Sequence, residues 1–230
     1  MTSDADGSLA EAVEKMKACG DDAWGRYILK KDPLYGRIPP DARPGIIVGA
    51  LACARERYED LVRRYGRQPA AGYAARLGVT VATEALGADY DYVFISCYTA
   101  KPPTIKLSAT ALDLLGALVA REGLTGLLPR EGLADLATAH ELFHHLEETT
   151  PGVYTRRKLV EYRLLRFIRH RFCPVSAGEI AAVRFSGLVA GLDYSPALYA
   201  VLLLAARKRP QAEAAVAELL TAQGGDWPGR

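Results

Sequence analysis

The stretch TAHELFHHLEE, Thr138 to Glu148, holds three of the chain's four histidines within six residues, and two of them, His140 and His144, stand four apart around Glu141. Its flanks read as a helix. Pro129 sits where a first helical turn tolerates proline, and Pro151-Gly152 is a stop, so PREGLADLATAHELFHHLEETT predicts a helix of about five turns. Residues four apart on a helix stand one above the other, which puts Leu133, Leu136, Ala137, His140 and His144 on one stripe. The histidines therefore continue a core-facing surface, and two imidazoles on one side can reach one cation. Glu141 leans to the flank of that pair, placed to hold a water rather than to ligate. From the chain's own His and Glu frequencies an HExxH pattern arises by chance about once in 250 such chains, so its context has to decide. The bland alternative is a pair of packed core histidines. His145 lies about a third of a turn from the pair and reads as a supporting or surface residue, and Glu148, one turn past His144, as a partner for a ligand histidine or simply the polar end of the helix.

The bulk of the sequence is compatible with an enzyme of one or two domains. It has 230 residues, 50% of them apolar, and a net charge of +2, so nothing global calls for nucleic acid or a membrane. The polar, acidic start lacks the features of a signal peptide, and the most apolar run, ALYAVLLLAA, is too short to span a bilayer. The expected location is the cytoplasm. Cys19, Cys53, Cys97 and Cys173 form no CxxC pair and suit reduced, mostly buried thiols.

Along the chain, residues 1–20 read as a loose end and a short helix, and KKDPLYGRIPPDARPG (Lys30 to Gly45) as a loop. A helix is expected over 46–65 and a shorter one in PAAGYAARLG. VTVATEAL, DYVFISCY and PTIKLS are rich in β-branched and aromatic residues between Gly/Asp and Lys-Pro-Pro breaks, and predict a small antiparallel sheet. Helices are expected over 109–122, 130–149, 155–171, 176–190, 195–208 and 210–222. The fold class is α+β, mostly helical.

With two histidines as ligands, an expected Zn²⁺ site needs a third protein ligand from another element and an open fourth position. Glu161, His170, Glu179 and Asp193 are the candidates. Glu179 is favoured because it shares a helical face with Ala182, Val183 and Ser186, small enough for that helix to lie close to another. An acidic residue in a first helical turn would also simply suit the helix dipole. On the favoured reading, the cation polarises a peptide carbonyl and acidifies water while Glu141 moves the proton.

In these motifs the chain resembles the ImmA/IrrE-type metallopeptidases, zincins of the gluzincin kind, over roughly Ala71 to Gly191. The shared order is ARLGVTV, a hairpin ending in PTIKLS, a helix, AHELFHH, and a later helix of the form E-x-x-A-x-x-F, here EIAAVRF. The resemblance implies a zincin-like fold, His140, His144 and Glu179 as zinc ligands, Glu141 as general base, and cleavage of a specific protein of the regulator kind. The chain is expected to divide into an N-terminal helix and loop (1–45), a metallopeptidase domain (46–192) and a C-terminal helical extension (193–230) packed on the same core. Substrates of this fold add a strand to a sheet edge, for which DYVFISCYTAKPPTIKLS is the candidate. Val183 departs from the pattern, standing where such proteins place a polar residue, and so does an extra basic segment between His144 and Glu179. Tyr98, Tyr154 and Tyr162 are open candidates for the oxyanion donor.

That basic segment, YTRRKLVEYRLLRFIRHRF (154–172), is read as an amphipathic helix with Arg156, Arg163, Arg166 and His170 on one stripe. It supports a second reading, a non-catalytic regulatory or nucleic-acid-associated module on the same fold. Ordinary solvated charge on a helix face is the simpler account.

Overall fold

The HELFHH stretch lies in one long helix, α6 (Arg130–Thr149), with Pro129 at its N-cap. The computed structural model describes residues 8–85, 95–124, 126–164 and 168–224. Before α6 come α1 (Leu9–Lys17), α2 (Asp21–Lys30), α3 (Arg43–Tyr65), α4 (Ala70–Arg76), β1 (Thr80–Glu84), β2 (Ser96–Ala100), β3 (Pro103–Ser108) and α5 (Ala109–Arg121). After it come α7 (Tyr154–Arg157), β4 (Val160–Leu164), β5 (Ile168–Phe172), α8 (Val175–Ala190), α9 (Leu198–Arg207) and α10 (Arg209–Gly224). The fold is mostly helical with a small sheet, a zincin-like arrangement around α6.

Helix α8 packs against both α6 and α3. Its composition explains the closeness: Gly178, Ala181 and Ala182 are buried in the contact, and Phe185 meets Phe143 of α6 at 5.7 Å between ring centroids. Small side chains let two helix backbones approach, and an aromatic pair then fills the remaining space. Gly191 ends α8 with φ of 66°, a left-handed turn that glycine adopts without strain. Helix α2, beyond the sequence expectation, buries Trp24 and Leu29 and lies against α8 and α3.

The start of α8 is fixed from elsewhere in the chain. Buried Asp32, just after α2, accepts hydrogen bonds from the Ser176 amide (3.0 Å) and hydroxyl (2.8 Å), and from the Leu34 amide (2.8 Å). A carboxylate at this position satisfies amide donors that a helix start leaves unpaired. Asp135 of α6 does the same for α4, accepting from the amides of Ala70 and Ala71 at 3.0 and 3.1 Å.

The three-stranded sheet has the order β1-β3-β2. Strands β2 and β3 form the expected antiparallel hairpin, with Tyr98 opposite Ile105, and β1 joins the far side of β3 in parallel. Pro103 opens β3 opposite Ala100, where a missing amide donor does least harm. Residues Asp91–Phe94 of the predicted strand, and Leu86 of the preceding one, lie outside the described residues. The sheet packs on α6 through β2 and β3.

The predicted basic helix over 155–171 is corrected by the structure. Among the described residues of this segment only Tyr154–Arg157 is helical; β4 and β5 form an antiparallel pair with Val160 opposite Phe172 and Tyr162 opposite His170. The physical reason lies in the sequence itself. VEYRL and IRHRF alternate with period 2, charged residues at 161, 163, 169 and 171, which suits a strand better than a helical stripe. Tyr162 stacks on His170 at 5.7 Å and meets Phe172 edge-on, while Glu161 pairs with Arg169 and Arg171, each at 3.3 Å. Arg156, Arg163 and His170 therefore do not share a helix face, and Arg166 lies outside the described residues.

Candidate metal centre

Helix α6 delivers His140 and His144 one turn apart, with ring centroids 5.2 Å from each other, and α8 brings Glu179 across to both. His140 Nε2 is 3.4 Å from Glu179 Oε2, and His144 Nε2 is 3.5 Å from Glu179 Oε1. One ligand atom from each residue lies within 4.8 Å of the other two. Ligands about 2.0–2.1 Å from a tetrahedral zinc stand about 3.3 Å apart, so the observed spacing fits one such ion with small adjustments. The donor set, two imidazoles and one carboxylate, suits it as well.

The site is electrostatically primed for a cation. Burial pushes the Glu179 carboxyl up, but its hydrogen bond with His140 and the charges of both imidazoles outweigh this and hold it below the usual carboxylate range. Burial also pushes the His144 imidazole down, while the hydrogen bond with Glu147 and the nearby Glu179, Glu141 and Glu147 charges raise it above its ordinary value. His144 Nδ1 lies 3.4 Å from Glu147 Oε2. A carboxylate on Nδ1 fixes the proton there and leaves the Nε2 lone pair for a metal.

Glu147, and not Glu148, is thus the partner of the ligand histidine; Glu148 pairs with Arg156 at 3.2 Å. Gly178 makes the arrangement possible, since a Cβ there would stand 2.9 Å from Glu147 Oε1. Glu141 is buried, 7% exposed, and Ser96 of β2 donates a 2.8 Å hydrogen bond to its Oε1. Sequence reasoning missed both Ser96 and Glu147. The i,i+3 spacing of His144 and Glu147 on one helix was a usable signal for the second; nothing local in the sequence pairs Ser96 with Glu141.

Among the described residues none of the other candidate ligands joins this cluster. Glu161 pairs with the arginines of β5, His170 stacks on Tyr162, and Asp193 is exposed after α8. Of the tyrosines, Tyr98 shares a 2.9 Å hydrogen bond with Nδ1 of buried His145, Tyr154 donates to the Gly45 carbonyl at 2.8 Å, and Tyr162 belongs to the β4–β5 pair. His145 is thus a buried supporting residue. Val183, one turn after Glu179, lines a cavity of about 300 Å³ that His140 and Glu141 also border.

His140, Glu141 and His144 on one helix, with Glu179 from a second, constitute the active-site constellation of a zinc metallopeptidase. Among the described residues no helix is long and apolar enough to cross a membrane. No protein-family model, curated protein or solved structure gives a significant match to the chain.

Proposed function

We propose that the protein is a cytoplasmic zinc-dependent endopeptidase of the ImmA/IrrE type that hydrolyses a peptide bond in a specific protein, a regulator being the kind of substrate the resemblance suggests. The observation that carries this reading is the meeting of His140, His144 and Glu179 within the spacing of one tetrahedral ion, with a buried, oriented glutamate beside the first ligand. His140, His144 and Glu179 would hold the zinc, which supplies Lewis-acid polarisation of the carbonyl and acidifies water.

The chain's own residues account for the rest. Ser96 occupies Oε1 of Glu141, which leaves Oε2 as the free basic oxygen. Glu141 takes one proton as water oxygen bonds to the carbonyl carbon, then gives that proton to the nitrogen as the C–N bond breaks. Glu147 keeps the His144 ring in the tautomer and orientation the metal requires. Strand β2 is an outer strand of the sheet beside α6, a position from which an extended peptide can pair with it. The catalytic unit on this reading is 46–192, with 1–45 as an N-terminal segment and 193–230 as a C-terminal extension; among the described residues α2 packs on α8 and α9 on α5.

The test is to incubate the zinc-loaded protein with a proteome-derived peptide library and identify new termini by mass spectrometry. New termini with wild type and none with Glu141→Gln support the reading. Equal cleavage by both, or none by either at full zinc occupancy, contradicts it.

A further inference from the structure

The segment between the two ligand helices is strongly basic. Residues 154–172 carry seven arginines and lysines and one carboxylate, net +6 where the whole chain is net +2, so the remainder is net −4. Strands β4 and β5 form a sheet of their own, and among the described residues no third strand pairs with the outer edge of β5. Arg169, His170 and Arg171 on that strand are exposed, the two arginine side chains by 64% and 66%. The ribbon's other face is occupied: Val160 is buried, and the Tyr162 ring lies under Arg37 at 5.5 Å.

Arg169 and Arg171 share one carboxylate, Glu161 of β4, at 3.3 Å each. A guanidinium presents five N–H donors, so one shared acceptor leaves most of them for another. Residues two apart on a strand stand on one face about 7 Å from each other. Carboxylates at alternate positions of a neighbouring strand would therefore meet both arginines from the side opposite Glu161. An edge strand also presents a row of unpaired amides and carbonyls, which a second extended chain satisfies. Nucleic acid would answer the charge but not that row. The ribbon is also joined to the metal centre at both ends. Arg156 pairs with Glu148 of α6 at 3.2 Å, and β5 ends at Phe172, shortly before α8 begins at Val175 and carries Glu179. A chain docked on β5 is held beside both ligand helices, which raises its local concentration there.

We infer that the outer edge of β5 is a docking strip for an extended acidic segment of the substrate protein, with carboxylates at every second residue. That the docked partner is a substrate rests on the zinc peptidase reading. The segment adds a third strand to the ribbon, and its carboxylates sit beyond Arg169 and Arg171 as Glu161 sits on their near side. Charge of one sign along the edge turns away a basic strand and admits an acidic one. Cross-strand pairs of opposite charge give the selectivity, while the backbone bonds hold any extended sequence.

The test is fluorescence anisotropy with the zinc-loaded full chain at physiological salt. The labelled probes are a peptide of alternating Thr and Glu, one of the same composition with its glutamates in a single block, and one of alternating Thr and Gln. The alternating Glu peptide should bind about tenfold more tightly than either of the others. Glu161→Gln should tighten it several-fold by releasing both arginines. The double variant Arg169→Glu/Arg171→Glu should abolish it, with circular dichroism and zinc content unchanged. Equal binding of the alternating and block peptides, or no gain from Glu161→Gln, overturns the strip. Tighter binding of a short DNA duplex or of phosphatidylglycerol vesicles, lost in the same arginine variant, overturns an acidic peptide as the occupant. Peptide binding by a chain that takes up no zinc and cuts no peptide upholds the strip and contradicts the peptidase reading. Cleavage indifferent to an appended Thr-Glu stretch, with no rise in KM in the arginine variant, overturns substrate docking and leaves the metal centre standing.

Discussion

Ser96, on the outer strand β2, donates a 2.8 Å hydrogen bond to Glu141, at the centre of the histidine helix. The bond ties the sheet to the proposed general base and leaves one carboxylate oxygen for chemistry. Removing the base should cost far more than removing its support. Glu141→Gln should lower peptide cleavage by about 10²–10⁴-fold at unchanged zinc content. Ser96→Ala should lower kcat/KM by about tenfold, since hydrogen bonds to charged groups are worth roughly 1.5–3 kcal/mol, again with zinc retained. Steady-state kinetics alongside elemental analysis would separate the two.

The Glu147 carboxylate on His144 predicts metal affinity. Glu147→Gln should weaken zinc binding by about 10–100-fold, measured by competition with a chelator. Gly178→Ala offers a second handle on the same contact. Alanine is the better helix former by up to about 1 kcal/mol, yet its Cβ would crowd Glu147 Oε1 at 2.9 Å. The variant should be no less stable without metal and bind zinc several-fold more weakly. Unchanged affinity in both variants would show that the Glu147 contact has no part in holding the metal.

Zinc affinity should fall with acidity earlier than for an unperturbed histidine. The His144 value lies above its ordinary 6.5 in the metal-free protein, so His144 already holds a proton at a pH where free imidazole has lost it. A raised value also means that the His144 contacts stabilise the metal-free fold below about pH 6.5 and lose that contribution as pH rises through the folded value. The Glu179 value is lowered, so its contribution is present above about pH 4.5 and lost as pH falls through the folded value. Zinc competes with the His144 proton, and apparent affinity should drop on going down from above pH 6.5, by up to tenfold per pH unit for one displaced proton. A pH series of zinc titrations in a non-chelating buffer checks this; affinity flat between pH 8 and 6 would count against it.

Asp32 is a purely structural prediction. Its buried carboxylate takes three hydrogen bonds, two from Ser176 at the start of the helix that carries Glu179. Asp32→Ala strands those donors and should cost about 1–3 kcal/mol, seen as a melting temperature lower by about 2–10 °C. Surface substitutions such as Glu213→Ala should barely move it, because that pair with Arg209 is exposed.

Much of this molecule was legible along the chain because its signals are local. Pro129 and Pro151-Gly152 bracket α6 to the residue, and the i,i+4 histidines need only a helix to meet. The small-residue face of EIAAVRF is also a local pattern, and it led to the third ligand. What was not legible depends on contacts between distant segments. Ser96 reaches Glu141 across 45 positions, and Asp32 reaches Ser176 across 144. The basic segment failed for another reason. A charged stripe at period 3.6 can be drawn through VEYRLLRFIRHRF, yet its period-2 alternation is the stronger pattern and the β4–β5 pairing follows it.

The central claim is that His140, His144 and Glu179 hold one zinc ion, and elemental analysis of the purified protein tests it most directly. Wild type should carry about one zinc per chain after loading, and His140→Ala and Glu179→Ala should each lose it while remaining folded by circular dichroism. Retention of zinc in Glu179→Ala would contradict the proposed third ligand, and absence of zinc from the folded wild type after loading would contradict the metal centre itself.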